Sequence, residues 1–332
     1  MISAWLGLLL AADPELYEGR AQAMGTELRI DVVLGPKVDR AGAEAAFTAA
    51  RNEVERLESE LSEWRPNSPF GRLNTAPTEG VVLSPEAYGL LERALGWSKA
   101  SGGAFDPTFA SLWGLWRFDA ADRARIPTEA EAKARARAID YRKVVLDPKR
   151  QRVRLGPGMK LGLGGIAKGY AVDRVVDLLR SRGLEDFFVK FGGELYLAGR
   201  RGARPWIAGI QDPRDGTRHF AVLALENSAF TTSGDYEHAL IKDGVRYHHL
   251  IDPATGYPAR KCRSVTIVAP RNEDADALST SVFVLGPEAG LALIKARPGV
   301  EVVIVTASGE VVVSPGLQGK VKLGQPIPWT GP

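Results

Sequence analysis

The segment Lys160-Leu-Gly-Leu-Gly-Gly-Ile-Ala-Lys-Gly-Tyr-Ala-Val-Asp173 places four glycines around Lys168 and continues directly into a helix. Apolar residues then recur at helical spacing as far as Leu179, and Gly183 predicts the end of that helix. Glycines let backbone groups come close to a ligand, because no Cβ stands in the way. The helix N-terminus favours negative charge, so the segment predicts a site for a phosphate or a pyrophosphate.

Other interpretations of this segment compete with that one. Gly162-Leu-Gly-Gly-Ile-Ala167 matches the dinucleotide-binding pattern G-x-G-x-x-A, and Glu185 follows at about the 20-residue distance that this pattern requires. However, Gly156-Pro-Gly-Met-Lys160 would make a poor central strand, and no alternation of strands and helices surrounds the motif. A Walker A loop needs Ser or Thr where this chain has Gly169. A glycine turn that opens a packed helix without binding a ligand stays open at this point.

The composition is that of an ordinary globular protein. The chain has 332 residues, of which 45% are hydrophobic and 25% charged, so it can bury a sizeable core. Its net charge of +3 is spread along the chain without a long basic run, which argues against nucleic acid as a partner. A single cysteine, Cys262, excludes an internal disulfide and a cysteine-based metal cluster.

The N-terminal segment Ile2–Ala12 is the one indication of targeting. It is too short to span a bilayer and is similar to the apolar core of a secretory signal, so residues 1–20 are a possible signal-like segment. The positive residues that normally precede such a core are missing. The alternative is a short apolar segment that stays in the folded protein.

Helices and strands segregate along the chain, which predicts an α+β fold. Amphipathic helices are recognised by their 3.6-residue period, and strands by alternation or short apolar runs. The predicted helices lie at about 47–64, from Pro85 through Leu95 to Ser101, from Ile166 to Leu179, and at about 274–285 and 287–296. The predicted strands are Ala23–Val33, a hairpin over 144–155, Phe187–Phe191, Glu194–Leu197, Trp206–Gln211, His219–Leu225, Val245–Ile251, Ser264–Ala269 and a last hairpin, Val302–Thr306 with Glu310–Val313.

Two places along the chain carry residues suited to chemistry. Asp276 and Thr280 lie one helical turn apart on one face, where a carboxylate and a hydroxyl could supply oxygen ligands to Mg²⁺. His248 and His249 stand at a strand end, where a histidine could act as a general base. Taken singly, these residues are better explained as a solvated Asp, a packed Thr and ordinary strand-edge histidines.

Taken in order, the motifs resemble the ApbE family of flavin transferases, which move FMN from FAD onto a protein. The resemblance extends from residue 24 to about residue 286, nearly the whole chain. The matching segments are Met24-Gly-Thr26, Leu61-Ser-Glu-Trp64, Ala104-Phe-Asp-Pro-Thr108, Leu163-Gly-Gly-Ile-Ala-Lys-Gly-Tyr170, Gly192-Gly193, Thr232-Ser-Gly-Asp-Tyr236, His249-Leu-Ile-Asp-Pro-Ala-Thr-Gly256 and Asp276-Ala-Leu-Ser-Thr280.

The resemblance implies a role for each matched position. His249 corresponds to the histidine implicated as the base, and Asp276 is expected to be essential for catalysis as well as for metal binding. The carbonyl of Gly165, with Asp276 and Thr280, falls where the family holds Mg²⁺. FAD is expected to contact Met24, Trp64, Ala104, Phe105, Asp106, Gly162, Lys168 and Ile251.

Three positions depart from the family's pattern. Gly162 stands where Asp is common, so one polar contact to FAD is missing. Trp64 replaces a common Tyr and keeps a stacking surface, and Lys190 replaces a common Asn. None of these departures removes an expected metal ligand or the base.

The implied fold is a single ApbE-like, T-fold-like unit over residues 21–332, with two lobes and FAD in the cleft between them. The implied reaction is Mg²⁺-dependent transfer of FMN from FAD to a Thr or Ser hydroxyl of an acceptor protein, with release of AMP. The expected acceptor is a membrane-bound electron-transfer subunit exposed to the periplasm, which places the enzyme in the periplasm or at the periplasmic face of the inner membrane. A cytoplasmic location stays open. So do two other functions, hydrolysis of FAD to FMN and AMP, and flavin binding without turnover.

Overall fold

The computed structural model describes residues 13–118 and 125–324. The segment Ile2–Ala12 lies outside the described residues. Within the described ranges, no helix is both long enough and apolar enough to cross a membrane. The helices are α1 Arg40–Leu61, α2 Pro69–Thr75, α3 Pro85–Ala100, α4 Glu129–Ala136, α5 Ala167–Ser181, α6 Asn272–Leu285 and α7 Pro287–Lys295; the strands are β1 Leu16–Ala23, β2 Thr26–Val33, β3 Val81–Val82, β4 Val145–Asp147, β5 Arg152–Arg154, β6 Phe187–Phe191, β7 Glu194–Ala198, β8 Trp206–Asp212, β9 Asp215–Leu225, β10 Ser228–Gly234, β11 Ala239–Lys242, β12 Val245–His248, β13 Ile251–Asp252, β14 Tyr257–Pro258, β15 Cys262–Ala269, β16 Glu301–Thr306, β17 Val311–Val313 and β18 Lys322–Leu323.

An eight-stranded sheet forms the centre of the fold, with strand order β1-β2-β6-β7-β10-β15-β16-β17. Every pairing in it is antiparallel. The predicted α+β class is therefore confirmed. A dinucleotide-binding fold, which needs a parallel sheet with crossover helices, is excluded.

The central sheet is covered on both faces, because successive side chains of a strand point to opposite sides. In β16, Val302 and Ile304 enter the main core beneath the helices. Val303, between them, enters a second core formed with the sheet β18-β9-β8. The resulting layers are helices, the central sheet and a three-stranded sheet.

Residues 69–165 form a smaller part of the molecule beside the central sheet. This part contains α2, α3, α4 and the short sheet β3-β5-β4. Its apolar residues, such as Leu90, Leu91 and Val153, belong to the same core as those of α1, α5 and α6. The two parts are thus joined by one continuous core.

The five predicted helices are present, but the first extends from Arg40 to Leu61 instead of over about 47–64, because Asp39 caps it through a bond from the N–H of Gly42. Local sequence also explains where other helices begin and end. Ser84 caps α3 through a bond from the N–H of Ala87, and Pro85 occupies the first turn. At the end of α5, Gly183 has a φ of +81°, and the N–H of Leu184 donates to the carbonyl of Leu179. Glycine takes up this left-handed conformation without a steric penalty.

Two predicted strands differ from the structure. The strand predicted over Ala23–Val33 begins only at Thr26, because Met24 and Gly25 form the turn of a hairpin with β1, with φ of +45° and +76°. The strand predicted over Val245–Ile251 is interrupted after β12 and resumes as β13. At this interruption the carbonyl of Leu250 accepts a hydrogen bond from Ala259.

Candidate active site

A cavity of about 400 Å³ lies between the smaller part of the molecule and the central sheet. Every site residue predicted from the sequence lines it, except Met24. Met24 lines an adjoining cavity of about 550 Å³, which shares Glu63, Trp64, Gly164 and Lys168 with the first. The first cavity is lined by Glu63, Trp64, Ala104, Phe105, Asp106, Pro107, Phe109, Trp113, Gly162, Gly164, Gly165, Lys168, Gly193, Glu194, Thr232, Ser233, Glu237, His238, His249, Leu250, Ile251, Pro253, Asp276 and Thr280.

The glycine segment forms the floor of this cavity and leads into α5. The helix begins at Ala167, and its N-cap residue Ile166 supplies no side-chain hydrogen bond. The N–H of Ala167 donates to the carbonyl of Leu163, so it is the positive end of the helix dipole, more than a row of free N–H groups, that favours an anion here. A Cβ on Gly165 would lie 3.0 Å from the ring of Phe105 and 3.4 Å from the hydroxyl of Thr280. Glycine at this position therefore lets both residues approach the backbone.

Helices α5 and α6 meet at a glycine next to the cavity. A Cβ on Gly169 would lie 2.3 Å from the carbonyl oxygen of Asn272. The N–H of Gly169 donates to the carboxylate of Asp276 over 3.0 Å. Asp173, on the same helix, accepts from the N–H groups of Asn272 and Glu273 and so caps α6. The sequence that follows the glycine segment thus fixes the helix that carries Asp276.

Asp276 and Thr280 lie on the cavity side of α6. The side chain of Asp276 is buried, and burial raises its pKa to about 7, an effect that the charge of Lys168 opposes. Among the described residues, no three His, Cys, Asp or Glu side chains form a metal site. The ligand set predicted for Mg²⁺ is not of this type, because it combines the single carboxylate of Asp276 with the hydroxyl of Thr280 and the neighbouring carbonyl of Gly165. These hard oxygen atoms fit the preference of Mg²⁺, which also retains several waters.

Lys168 connects the glycine segment to the turn between β6 and β7. Its ammonium lies 3.1 Å from Glu194 and donates to the carbonyl of Gly164 over 3.2 Å. Burial alone would lower the pKa of Lys168, but Glu194 and Asp276 outweigh burial and raise it. The lysine is therefore a fixed positive charge in the cavity. The second carboxylate oxygen of Glu194 is buried and has no hydrogen-bond partner among the described residues.

The two neighbouring histidines lie in different environments. His248 is buried, and its Nε2 donates to the carbonyl of Ala259 over 2.9 Å. His249 lines the cavity, and its Nδ1 lies 3.0 Å from the carbonyl of Glu237. A carbonyl only accepts, so Nδ1 of His249 carries the proton and Nε2 has its lone pair available. Burial, followed by the nearby ring of His238, lowers the pKa of His249 to about 4.

Aromatic rings line the opposite wall of the cavity. Trp64 is 68% exposed and stacks on Trp113, with ring centroids 4.1 Å apart. A Cβ on Gly162 would lie 3.0 Å from Trp113. Glycine at this position therefore makes room for the second tryptophan. Both rings offer a surface on which a flavin could stack.

The carboxylate of Asp106 is engaged within the protein. One oxygen accepts from the N–H and the hydroxyl of Thr108, at 2.8 and 2.6 Å, and the other accepts from the N–H of Tyr141 at 2.9 Å. Asp106 thus holds the loop in which Ala104 and Phe105 reach the cavity. Burial raises the pKa of this carboxyl group, and its hydrogen bonds oppose that effect.

Several cavity residues were not predicted from the sequence. Gly192-Gly193 and Thr232-Ser-Gly-Asp-Tyr236 belong to the matched segments, but the sequence predicts no role for Glu194. Glu63, Trp113, Glu237 and His238 were also given none. Their only sequence signal was proximity to a matched motif, since each lies within or beside such a segment or, for Trp113, in an aromatic-rich run.

The glycine segment, the oxygen ligands and the histidine together define a candidate nucleotide-phosphate site in an antiparallel α+β fold. The family model described as ApbE matches residues 24–304. A protein of Treponema pallidum named FAD:protein FMN transferase is 36% identical over 92% of this chain and 89% of its own length. A protein of Klebsiella pneumoniae with the same name is 30% identical over 91% of this chain and 93% of its own length. The chain belongs to the ApbE family.

Solved structures agree with this assignment. The apbe protein of Thermotoga maritima is similar with a TM-score of 0.83 and 35% identity, over 92% of this chain and 99% of that one. The flavin transferase ApbE of Vibrio cholerae gives a TM-score of 0.79 and 27% identity, also over 92% and 99%.

Proposed function

We propose that this protein transfers FMN from FAD to a Thr or Ser hydroxyl of an acceptor protein and releases AMP. The observation that carries the proposal is the convergence of Lys168, the ligand set around Asp276 and the base candidate His249 on one cavity. The names of the relatives support the donor, the transferred group and a protein as acceptor. The hydroxyl acceptor, the metal and AMP release are what the family resemblance implies, and the chemistry of these residues is compatible with them.

The pyrophosphate of FAD lies at the N-terminus of α5, beside Lys168. The positive end of the helix dipole and the fixed ammonium of Lys168 attract its negative charge. The isoalloxazine ring stacks on the aromatic wall formed by Trp64 and Trp113. Gly165, Asp276 and Thr280 would hold Mg²⁺, which in this position neutralises negative charge on the phosphate oxygens.

His249 removes the proton from the acceptor hydroxyl. Its Nε2 takes the proton because Nδ1 is committed to the carbonyl of Glu237. The low pKa keeps the ring neutral at physiological pH, so the ring is ready to accept a proton. The hydroxyl oxygen then forms a bond to the FMN-side phosphorus, and the bond from that phosphorus to the AMP oxygen breaks. The products are a phosphoester-linked FMN-protein and AMP.

The proposal extends to where the reaction takes place. The acceptor is a membrane-bound electron-transfer subunit whose modified residue faces the periplasm, and the signal-like segment at residues 1–20 supports export of this enzyme. Fractionation of cells that produce the full chain tests the location. Recovery of the protein in the cytoplasm with residues 1–20 intact would contradict it.

The reaction is tested with purified protein, FAD, Mg²⁺ and two matched acceptor proteins, one with the target Thr and one with Val in its place. Covalent flavin fluorescence is expected on the Thr acceptor alone and only while Mg²⁺ is present. Release of free FMN and AMP at the same rate with either acceptor would instead identify an FAD hydrolase. Binding of FAD without any product would identify a flavin-binding protein. Tight binding of NADH in place of FAD would refute the assignment of the cavity.

A further inference from the structure

The hairpin formed by β11 and β12 stands apart from the other sheets. In the described part of the chain, these two strands form a sheet of their own. Their register pairs Lys242 with Val245 on either side of the turn Asp243-Gly244. Both turn residues have positive φ, +51° and +74°, as the two-residue turn of a twisted hairpin requires.

This register fixes which backbone groups of β11 face outward. The pair that flanks a two-residue turn exchanges hydrogen bonds, and pairs then alternate along the ladder. Lys242 and Leu240 therefore bond to β12, whereas the N–H and C=O groups of Ile241 and Ala239 point away from it. No other strand among the described residues pairs with this side of β11. The hairpin thus has an open edge with two outward N–H groups.

The two edges of the hairpin are not equivalent. The β12 side is held against the protein, because Arg246 pairs with Asp235 over 2.8 Å and the ring of Tyr247 lies 6.0 Å from that of Trp116. The β11 side faces solvent, and the side chain of Ile241 is 58% exposed. An open edge with an exposed β-branched residue invites pairing with another strand.

The β11 edge leads directly to the base. The strand begins one residue after His238, which lines the cavity. The ring of His238 makes an edge-to-face contact with that of His249, with centroids 5.3 Å apart. A chain that ran along β11 would therefore end beside His238, a cavity residue whose ring contacts that of His249.

The chemistry of the acceptor requires its own backbone to lie close to the cavity near His249. A Ser or Thr hydroxyl is attached to Cβ, so the backbone of the acceptor must come to the cavity with it. An extended segment meets this requirement and also offers N–H and C=O groups to an open strand edge. We propose that the β11 edge binds the acceptor protein as an added strand and delivers its hydroxyl to His249. This inference rests on the proposed function and names the acceptor's binding surface.

Pairing through the main chain explains how one enzyme can recognise a segment without a deep side-chain pocket. Hydrogen bonds to Ala239 and Ile241 supply affinity, and the side chain of Ile241 adds an apolar contact. A second copy of this chain could pair with the same edge, and the experiment below distinguishes that occupant.

The first test compares Ile241→Pro with Ile241→Thr. Proline removes the outward N–H of residue 241 and leaves the hydrogen bonds to β12 intact, because an edge strand accepts proline where the N–H faces solvent. Threonine keeps the N–H and the β-branched shape. Ile241→Pro should raise KM for the acceptor roughly 10-fold, as for loss of one or two hydrogen bonds, while the Kd for FAD stays within about twofold. Equal KM values for Ile241→Pro and wild type would overturn the proposal.

The second test is hydrogen exchange in the wild-type protein, with and without the acceptor. The amides of Ala239 and Ile241 should exchange more slowly when the acceptor is added, even if no FMN is transferred. Failure of the proposed function would appear as protection without transfer, whereas failure of this inference would appear as transfer without protection. Protection that is already present without acceptor, together with a dimer in sedimentation, would overturn the inference in favour of a second copy.

Discussion

Replacement of Gly169 by Ala tests how the glycine segment positions Asp276. The added Cβ would lie 2.3 Å from the carbonyl oxygen of Asn272 and 2.8 Å from the Cβ of Asp276. The first of these atoms belongs to the backbone, so α5 and α6 must move apart to accommodate the methyl group. Such a movement also disturbs the hydrogen bond from the N–H of Gly169 to the carboxylate of Asp276.

The expected magnitude follows from opposing effects. Alanine gains about 1 kcal/mol over glycine in a helix interior, and less near the helix end where Gly169 lies. Overpacking of a tight core costs about 1–3 kcal/mol, and weakening a hydrogen bond to a charged group costs about 1.5–3 kcal/mol. Gly169→Ala should therefore lower the free energy of unfolding by about 1.5–6 kcal/mol and should reduce transfer activity.

The matched control is Gly96→Ala in α3. Gly96 lies within the helix, is exposed, and has no atom within 4 Å of the position that its Cβ would take. This variant should gain up to about 1 kcal/mol, because only the helix preference changes. Urea denaturation of both variants, followed by far-UV circular dichroism, measures the difference. A Gly169→Ala variant as stable as Gly96→Ala, with full activity, would refute the proposed contact between α5 and α6.

Further predictions concern the histidines and the metal ligands. His249→Ala should lower the rate of FMN transfer roughly 10²-fold or more, while FAD binding survives. His248→Ala should lower the Tm and leave the rate per folded molecule nearly unchanged. A larger loss of rate for His248→Ala than for His249→Ala would refute the assignment of the base. Asp276→Ala should abolish Mg²⁺-dependent transfer, whereas Thr280→Ala should only raise the Mg²⁺ concentration that transfer requires. If Asp276→Ala kept wild-type activity at low Mg²⁺, the assigned metal site would be contradicted. Burial lowers the pKa of His248 to about 4, so between pH 4 and about 6.5 the unfolded chain binds more protons and the free energy of unfolding rises with pH. His248→Gln should remove on the order of 2–3 kcal/mol of that rise, as measured by urea denaturation at several pH values. If the free energy of unfolding rose with pH as steeply in His248→Gln as in wild type, His248 would not be buried in its neutral form.

Elements with a strong internal period could be predicted from the sequence. Helices α1, α3 and α5 each place apolar residues on one face, and strand β6 occupies the predicted range Phe187–Phe191. Short or edge strands could not be predicted in this way. Strand β11 has four residues with little alternation, and it is a strand because the turn Asp243-Gly244 folds it against β12.

The candidate site was predictable to the extent that its residues lie in matched motifs. The order of those motifs pointed to Lys168, His249 and Asp276 together, which no single spacing could have done. Glu194 and Trp113 required the structure, since their importance comes from long-range neighbours. Glu194 pairs with a lysine 26 positions earlier in the chain, and Trp113 fills the space that Gly162 leaves open.

The two neighbouring histidines are separated for a reason that the sequence pattern does not show. Within one continuous strand, alternation would turn His248 and His249 to opposite faces. Instead, β12 ends at His248, and His249 lies in the interruption before β13. The separation is retained because His248 is anchored to Ala259 and His249 to Glu237.

The most direct test of FMN transfer is a product balance measured in one reaction. Wild-type protein is incubated with FAD, Mg²⁺ and a Thr-containing acceptor, and AMP, free FMN and acceptor-bound FMN are quantified over time. Transfer predicts that AMP and acceptor-bound FMN appear in equal amounts while free FMN stays at the level of a reaction without enzyme. AMP accompanied by an equal amount of free FMN, with an unmodified acceptor, would contradict it.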